Sequence, residues 1–266
     1  MGEYIEIGGH PTWVETAGQR SDSSETVLLL HGGLSNSDDL LQTIGVPLGA
    51  TYRVVAFDRR GHGRTRDTEE PFHYDDMATE TIRVLEQVVG VPAHLVGWSD
   101  GGIIAMLVAL SRPDLVRRLV LIGANFHFDG MHPIEMESDS PVLATMLSDY
   151  TERSPDGAEH FGEVAQKSFV MFATEPTMTT DEVARITAPT LVLVGDDDMI
   201  ELSHTSALYG SLPAGQLAVI PGASHALPVE KPAEAGRVIG DFLAGDAVPQ
   251  TMIPIRRSAR ATPPFP

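Results

Sequence analysis

The segment "HLVGWSDGGIIAMLVAL" (94–110) sets Ser99 between a short apolar run and a helical one, with Gly97 and Gly101 two residues to either side. G-x-S-x-G at a strand-to-helix junction predicts a nucleophile elbow, a sharp turn that lifts a serine hydroxyl above a sheet. Glycine suits both flanking positions because strand and helix pass close together at such a bend. The helix that follows aims the positive end of its dipole at negative charge developing there. A hydroxyl is a weak nucleophile until a base takes its proton, and the base needs an acid to orient it. Position must choose among the ten histidines. His225, in "PGASHALP", directly follows the last strand-like run, where a loop can carry it over Ser99. His31 and His62 also sit near strand ends but precede the serine, whereas the expected chain order is serine, acid, histidine. "GDDDM" offers Asp196, Asp197 and Asp198 as the acid, of which Asp196 reads as a turn residue bonding backbone N–H groups.

Acyl transfer further requires donors for a tetrahedral oxyanion. The backbone N–H of Asp100, just after the serine, is one candidate. The other lies in "HGGL" (31–34), where the Gly33 N–H is the choice and Leu34 its neighbour. Leu34, Trp98 and Asp100 are expected to touch substrate. Neither H-E-x-x-H nor any other clustered ligand spacing occurs, so no metal and no cofactor is expected.

These residues need a scaffold that delivers them to one place. "TVLLLHGG", "RVVAFD", "HLVGW", "RRLVLIGA", "TLVLVGDDD" and "QLAVIPGASH" are near-continuous apolar runs ending in turn residues. Such runs belong to a parallel sheet covered on both faces. The opening "EYIEIGGHPTWVETAG" reads as a hairpin turning at Gly8–Gly9. Helical stretches alternate with the strands, including "YDDMATETIRVLEQVVG" with acids in its first turn. Residues 126–185 break the rhythm: they hold helical segments, no good strand, and Met131, Met136, Met146, Met171 and Met178, five of the ten methionines. Methionine adapts to irregular surfaces. A helical layer on the sheet edge and a lid over a substrate cavity both fit. After residue 246 the Pro/Arg-rich "DAVPQTMIPIRRSARATPPFP" predicts an extended tail.

Composition narrows the class. The 266 residues are 42% hydrophobic and 21% charged, an ordinary globular mix long enough for one large core. A formal charge of −19 disfavours nucleic acid as a partner. Without cysteine there is no disulfide or thiolate chemistry. No basic-then-apolar leader and no apolar run of membrane length appear, so no membrane partner and a cytoplasmic location are expected. The oligomeric state is not legible.

With these motifs in order, "HGGL", "FDRRGHGRT" (57–65), "GWSDGG" (97–102), "PTLVLVGDDD" (189–198) and "PGASHALPVEKP" (221–232), the chain resembles the α/β-hydrolases. The resemblance implies an α/β fold: a mostly parallel eight-stranded sheet with helices on both faces and a small helical cap. The core would be residues 1–125 and 186–245, the cap 126–185 and the tail 246–266. It also implies that the acid stands three residues after the strand-ending glycine, which is Asp198, with Asp197 second. The alternative acid position, after the preceding strand, holds Asn125, which cannot be an anion. The elbow is similar to that of valacyclovir-hydrolase-like amino-acid ester hydrolases, in which the aspartate after the serine pairs with the substrate ammonium; Asp100 would take that role or bond within the protein. The implied activity is hydrolysis of a small carboxylic ester, lactone or thioester through an acyl-enzyme. The family also contains cofactor-free haloperoxidase-like perhydrolases and lidded ligand receptors that retain the triad.

Overall fold

In a computed structural model of the chain, which describes residues 2–18, 25–133 and 140–255, eight strands form one sheet. They are β1 (Gly2–Ile7), β2 (His10–Gly18), β3 (Thr26–Leu30), β4 (Arg53–Phe57), β5 (Ala93–Trp98), β6 (Val116–Ile122), β7 (Thr190–Asp197) and β8 (Gly215–Ser224). Their spatial order is β1-β2-β4-β3-β5-β6-β7-β8. The first hairpin is antiparallel and turns at Gly8 and Gly9, both at positive φ, and β2 runs antiparallel to β4. The pairings from β4 through β8 are parallel.

The unbroken apolar runs follow from burial on both faces. Side chains alternate across a strand, and here each parity enters a different core. Leu28, Leu30, Val55, Phe57, Leu95, Leu119 and Leu121 pack on one side with α1 (Tyr74–Val84) and α2 (Asp100–Ser111). Val27, Leu29, Val54, Ala56, Val96, Val120 and Ile122 pack on the other with Leu40, Ile44, Ile239 and Phe242. Helix α2 is apolar nearly all round, and nine of its twelve residues are buried. It is a core helix, as an all-apolar pattern requires.

Between β6 and β7 the chain forms α3 (Pro141–Arg153) and α4 (Phe161–Phe172), and α5 (Leu202–Ser211) and α6 (Pro232–Ala244) flank β8. Several polar ties hold the α3–α4 segment on loops of the sheet. Lys167 Nζ donates to Asp67 Oδ2 at 2.7 Å, Arg66 to Asp156 at 2.9 Å and Arg153 Nε to Asp38 at 3.0 Å. Residues 246–255 adopt neither helix nor strand and lie beside Tyr209–Gln216. Met136 and the tail from 256 onward lie outside the described residues.

Candidate active site

Strand order reverses between β3 and β5, and the crevice at the carboxyl ends of such a pair is where open α/β sheets bind ligands. Ser99 stands there, in the turn between β5 and α2, at φ 54°, ψ −119°. For a residue with a Cβ this left-handed φ is strained, and the packing around it holds the strain. Its N–H donates to Ile122 O on β6 at 2.8 Å. A methyl on Gly97 would lie 2.1 Å from Gly101 O, and one on Gly101 2.0 Å from Leu30 O. The elbow closes because neither residue has a side chain.

Three expected residues come together at this point. Ser99 Oγ lies 2.9 Å from His225 Nε2, and His225 Nδ1 lies 2.8 Å from Asp198 Oδ1. A carboxylate only accepts, so Nδ1 carries the proton and Nε2 is free to accept from the serine hydroxyl. Asp198 is held by a second bond, from the Ile200 N–H to Oδ1 at 3.0 Å. Its side chain is 1% exposed, against 16% for His225. Gly123, at φ 54°, makes room: a methyl there would come within 3.0 Å of both His225 Nδ1 and Asp198 Oδ2. Asp196 bonds backbone N–H groups, though not those of a turn of its own: it lies within β7, and its Oδ1 accepts from the Gly222 N–H of β8 at 2.6 Å. Asp197 is exposed. Asn125 lines the cavity and donates to His127 O at 2.9 Å.

A cavity of about 380 Å³ opens over Ser99 and His225. Gly33, Leu34 and Asp100 line it on the sheet side, and Met131, Met146, Phe169 and Phe172 on the side of the α3–α4 segment. Leu34 adopts φ 53°. Trp98 departs from the expected substrate contact: it is not among the cavity's lining residues, and its indole N–H donates to His225 O at 2.8 Å. It braces the loop that carries the histidine. Side chains alternate along β5, so the residue before the turn points away from the serine's side.

Asp100 is 4% exposed. Its Oδ1 accepts from the Tyr74 hydroxyl at 2.8 Å, while Oδ2 is buried with no partner among the described residues; the residue itself lines the cavity. Burial pushes its carboxyl up from the usual range, opposed by the charge of Arg59 and the Tyr74 hydroxyl. Tyr74 is pushed far above its ordinary value by burial and by Asp100. Its backbone N–H donates to Glu175 Oε2 at 3.0 Å, just beyond α4. The sequence marks Tyr74 only as the start of a helix, and nothing in the pattern says that its hydroxyl reaches Asp100.

Among the described residues one group has metal-ligand spacing, Asp67, His160 and Glu163. The Lys167 ammonium already contacts both carboxylates, at 2.7 and 3.3 Å, so the cluster is a set of ion pairs. No helix of the described residues is long and apolar enough to cross a membrane.

Comparison with known proteins gives the same architecture. The model of the alpha/beta hydrolase family matches residues 27–236. A putative carbamate hydrolase, RutD of Variovorax paradoxus, is 29% identical over 254 residues, covering 84% of this chain and 93% of that protein. Human serine hydrolase BPHL is 24% identical over 248 residues, covering 85% and 81%. Among solved structures, a serine hydrolase involved in carbazole degradation (the CarC enzyme) superposes with a TM-score of 0.75 at 20% identity, covering 91% of this chain and 98% of that one. A meta-cleavage product hydrolase from Pseudomonas fluorescens IP01 does so with 0.71 at 22%, covering 91% and 97%.

Proposed function

This chain belongs to the alpha/beta hydrolase family, and from that premise we propose that it hydrolyses a small carboxylic ester, lactone or thioester through an acyl-enzyme on Ser99. The observation that carries the reading is the continuous chain Asp198–His225–Ser99, with contacts of 2.8 and 2.9 Å, bordering the cavity. Ser99 Oγ attacks the carbonyl carbon as His225 Nε2 takes its proton. Asp198 keeps the ring oriented and stabilises the imidazolium that forms. The carbonyl oxygen becomes an oxyanion, received by the N–H groups of Gly33 and Asp100. Collapse expels the alcohol with the proton from His225. Water, activated by the same ring, then attacks the acyl-serine and releases the acid.

Residues 126–185 act as a cap. The apolar side chains they place over Ser99 exclude water and shape the acyl or alcohol site. Oδ2 of Asp100, buried and without a partner among the described residues, supports a preference for substrates bearing an ammonium group, in keeping with the elbow's resemblance.

The test is turnover of p-nitrophenyl acetate. The expected result is a burst of p-nitrophenol with wild type and none with Ser99→Ala. Equal turnover by both would remove the reading. In a companion assay, Asp100→Asn lowers kcat/KM at least tenfold for an α-amino ester and does not lower it for the desamino analogue.

A further inference from the structure

The loop that supplies Gly33 is held from beneath by a buried arginine. Arg59, two residues after β4, is 0% exposed and is among the largest fully buried side chains. Its Nη1 donates to His31 O at 2.6 Å and its Nη2 to Gly32 O at 2.9 Å. A second donor reaches the same Gly32 oxygen. The Arg59 backbone N–H donates to His31 Nε2 at 3.2 Å, which puts the His31 proton on Nδ1. Nδ1 then donates to Gly32 O at 2.7 Å. Burial, with the charge of Arg59, holds His31 well below its ordinary range and hence neutral, as this pattern requires.

Both lone pairs of the Gly32 carbonyl are therefore engaged on one side. The peptide that follows is trans, the only cis bond among the described residues being Glu175–Pro176. In a trans peptide the C=O and N–H point in opposite directions. Pinning the Gly32 oxygen therefore fixes the direction of the Gly33 N–H, away from Arg59. The cavity and Ser99 are close by: Gly33 lines the cavity, and a methyl on Gly32 would lie 3.5 Å from Ser99 Cβ. A Gly-Gly pair has no side chain to anchor it and wide backbone freedom, so without the clamp this peptide has little to prevent it from rotating.

We infer that Arg59, with His31, is the positioning device of the oxyanion hole, holding the Gly32–Gly33 peptide so that the Gly33 N–H faces the reacting carbonyl. The inference rests on the proposed roles of Ser99 and Gly33. Such a clamp favours arginine over lysine because the rigid guanidinium fork holds two donors at a fixed spacing in one plane, whereas an ammonium is a point donor on a flexible stem. Burying this cation is otherwise unfavourable, and its Nε finds no partner among the described residues. The same positive charge opposes the field of Asp100, which would otherwise act against the oxyanion.

The experiment compares wild type with Arg59→Lys, which keeps the charge and loses the fork. With p-nitrophenyl acetate, kcat falls about a hundredfold, the order expected for losing one oxyanion donor, and KM stays within about threefold. A trifluoromethyl ketone, which forms a tetrahedral oxyanion on the serine, loses affinity in parallel, whereas the matching methyl ketone does not. A folded Arg59→Lys with kcat within threefold of wild type, or equal losses for both ketones, overturns the inference. Should Arg59→Lys fail to fold, His31→Asn, which keeps a donor near Gly32 O, must retain at least tenfold more kcat than His31→Ala; equal values overturn the inference. If wild type shows no Ser99-dependent turnover, it is the functional reading that fails. The clamp is then decided by the Gly33 amide in ¹⁵N-labelled protein: one sharp resonance in wild type and a broadened or doubled one in Arg59→Lys supports it, and identical spectra refute it.

Discussion

Replacing Asp198 by asparagine removes a charge while keeping the shape. Oδ1 of Asp198 accepts from both His225 Nδ1 and the Ile200 N–H. An asparagine oxygen can keep both bonds, so the ring retains its tautomer and the loss is mainly electrostatic. When His225 takes the serine proton, an imidazolium forms 2.8 Å from the carboxylate oxygen. At an effective dielectric of about 20 that attraction is about 6 kcal/mol. The ring is 16% exposed and the transition state carries only part of the charge, which together leave roughly 4 kcal/mol, or about a thousandfold at about 1.4 kcal/mol per decade. The new amide nitrogen replaces Oδ2, which has no partner among the described residues, so no hydrogen bond is broken there and the fold is kept. The assay is initial-rate and burst kinetics with p-nitrophenyl acetate at pH 8, with thermal melts to confirm folding. Expected are a kcat about a thousandfold lower, KM within threefold, and no change for the exposed Asp197→Asn. A loss under tenfold, or equal losses for the two aspartates, would refute the electrostatic role given to Asp198.

Ser99→Gly melts about 2 °C above Ser99→Ala, because both lack the hydroxyl but only glycine relieves the φ of 54°; equal melting points would show that the elbow stores no strain. Gly97→Ala forces a methyl to 2.1 Å from Gly101 O and destabilises by more than about 4 kcal/mol, seen as insoluble protein or a fall in melting point of many degrees, and a change under 2 °C contradicts it. His204 accepts from the Phe126 N–H at 3.1 Å, and burial lowers its pKa to about 4. Its neutral form is favoured by folding, so its contribution is complete above about pH 6.5, the unfolded value, and is lost as pH falls towards 4. Urea midpoints from pH 7.5 to 4 fall more steeply for wild type than for His204→Gln, and parallel curves count against the assignment.

The sheet is readable because parallel burial leaves a mark on composition. Val27 through Leu30 are all apolar since alternate side chains enter different cores, and no single-faced strand reads that way. Ser99 and His225 are legible because both belong to turns that end strands. Asp198 is separable from Asp196 and Asp197 only through the resemblance to a family. Arg59 and Tyr74 are not legible as partners. An arginine is ordinarily a surface residue, and burial of this one depends on the loop after β3 bringing the His31 and Gly32 carbonyls to it. Tyr74 lies 26 positions before Asp100, and whether its hydroxyl arrives there is set by how α1 packs on α2. Trp98 misleads for a related reason: adjacency to the serine in sequence says little about which side of the strand its ring takes.

In the mechanism proposed above, Asp100 makes the chemistry of this site conditional on what binds it. The residue is given two opposite roles, a backbone donor for the oxyanion and a side-chain anion close by. The Tyr74 hydroxyl draws Oδ1 aside at 2.8 Å, and Arg59 supplies a counter-charge, but Oδ2 is left unpartnered in a residue that lines the cavity. With a neutral substrate that oxygen stays desolvated and unpaired, a state that costs about 1–3 kcal/mol or more for a charged group, and its field opposes the charge forming on the carbonyl oxygen. With a cationic group in reach, both penalties are offset by one contact. Selectivity should therefore appear in kcat as well as in KM, because the contact stabilises the transition state more than the ground state. An α-amino ester and its desamino analogue, compared at saturating concentration on wild type, should differ at least tenfold in kcat. A difference confined to KM would mean that Asp100 only binds, and that Arg59 alone already shields the oxyanion from its charge.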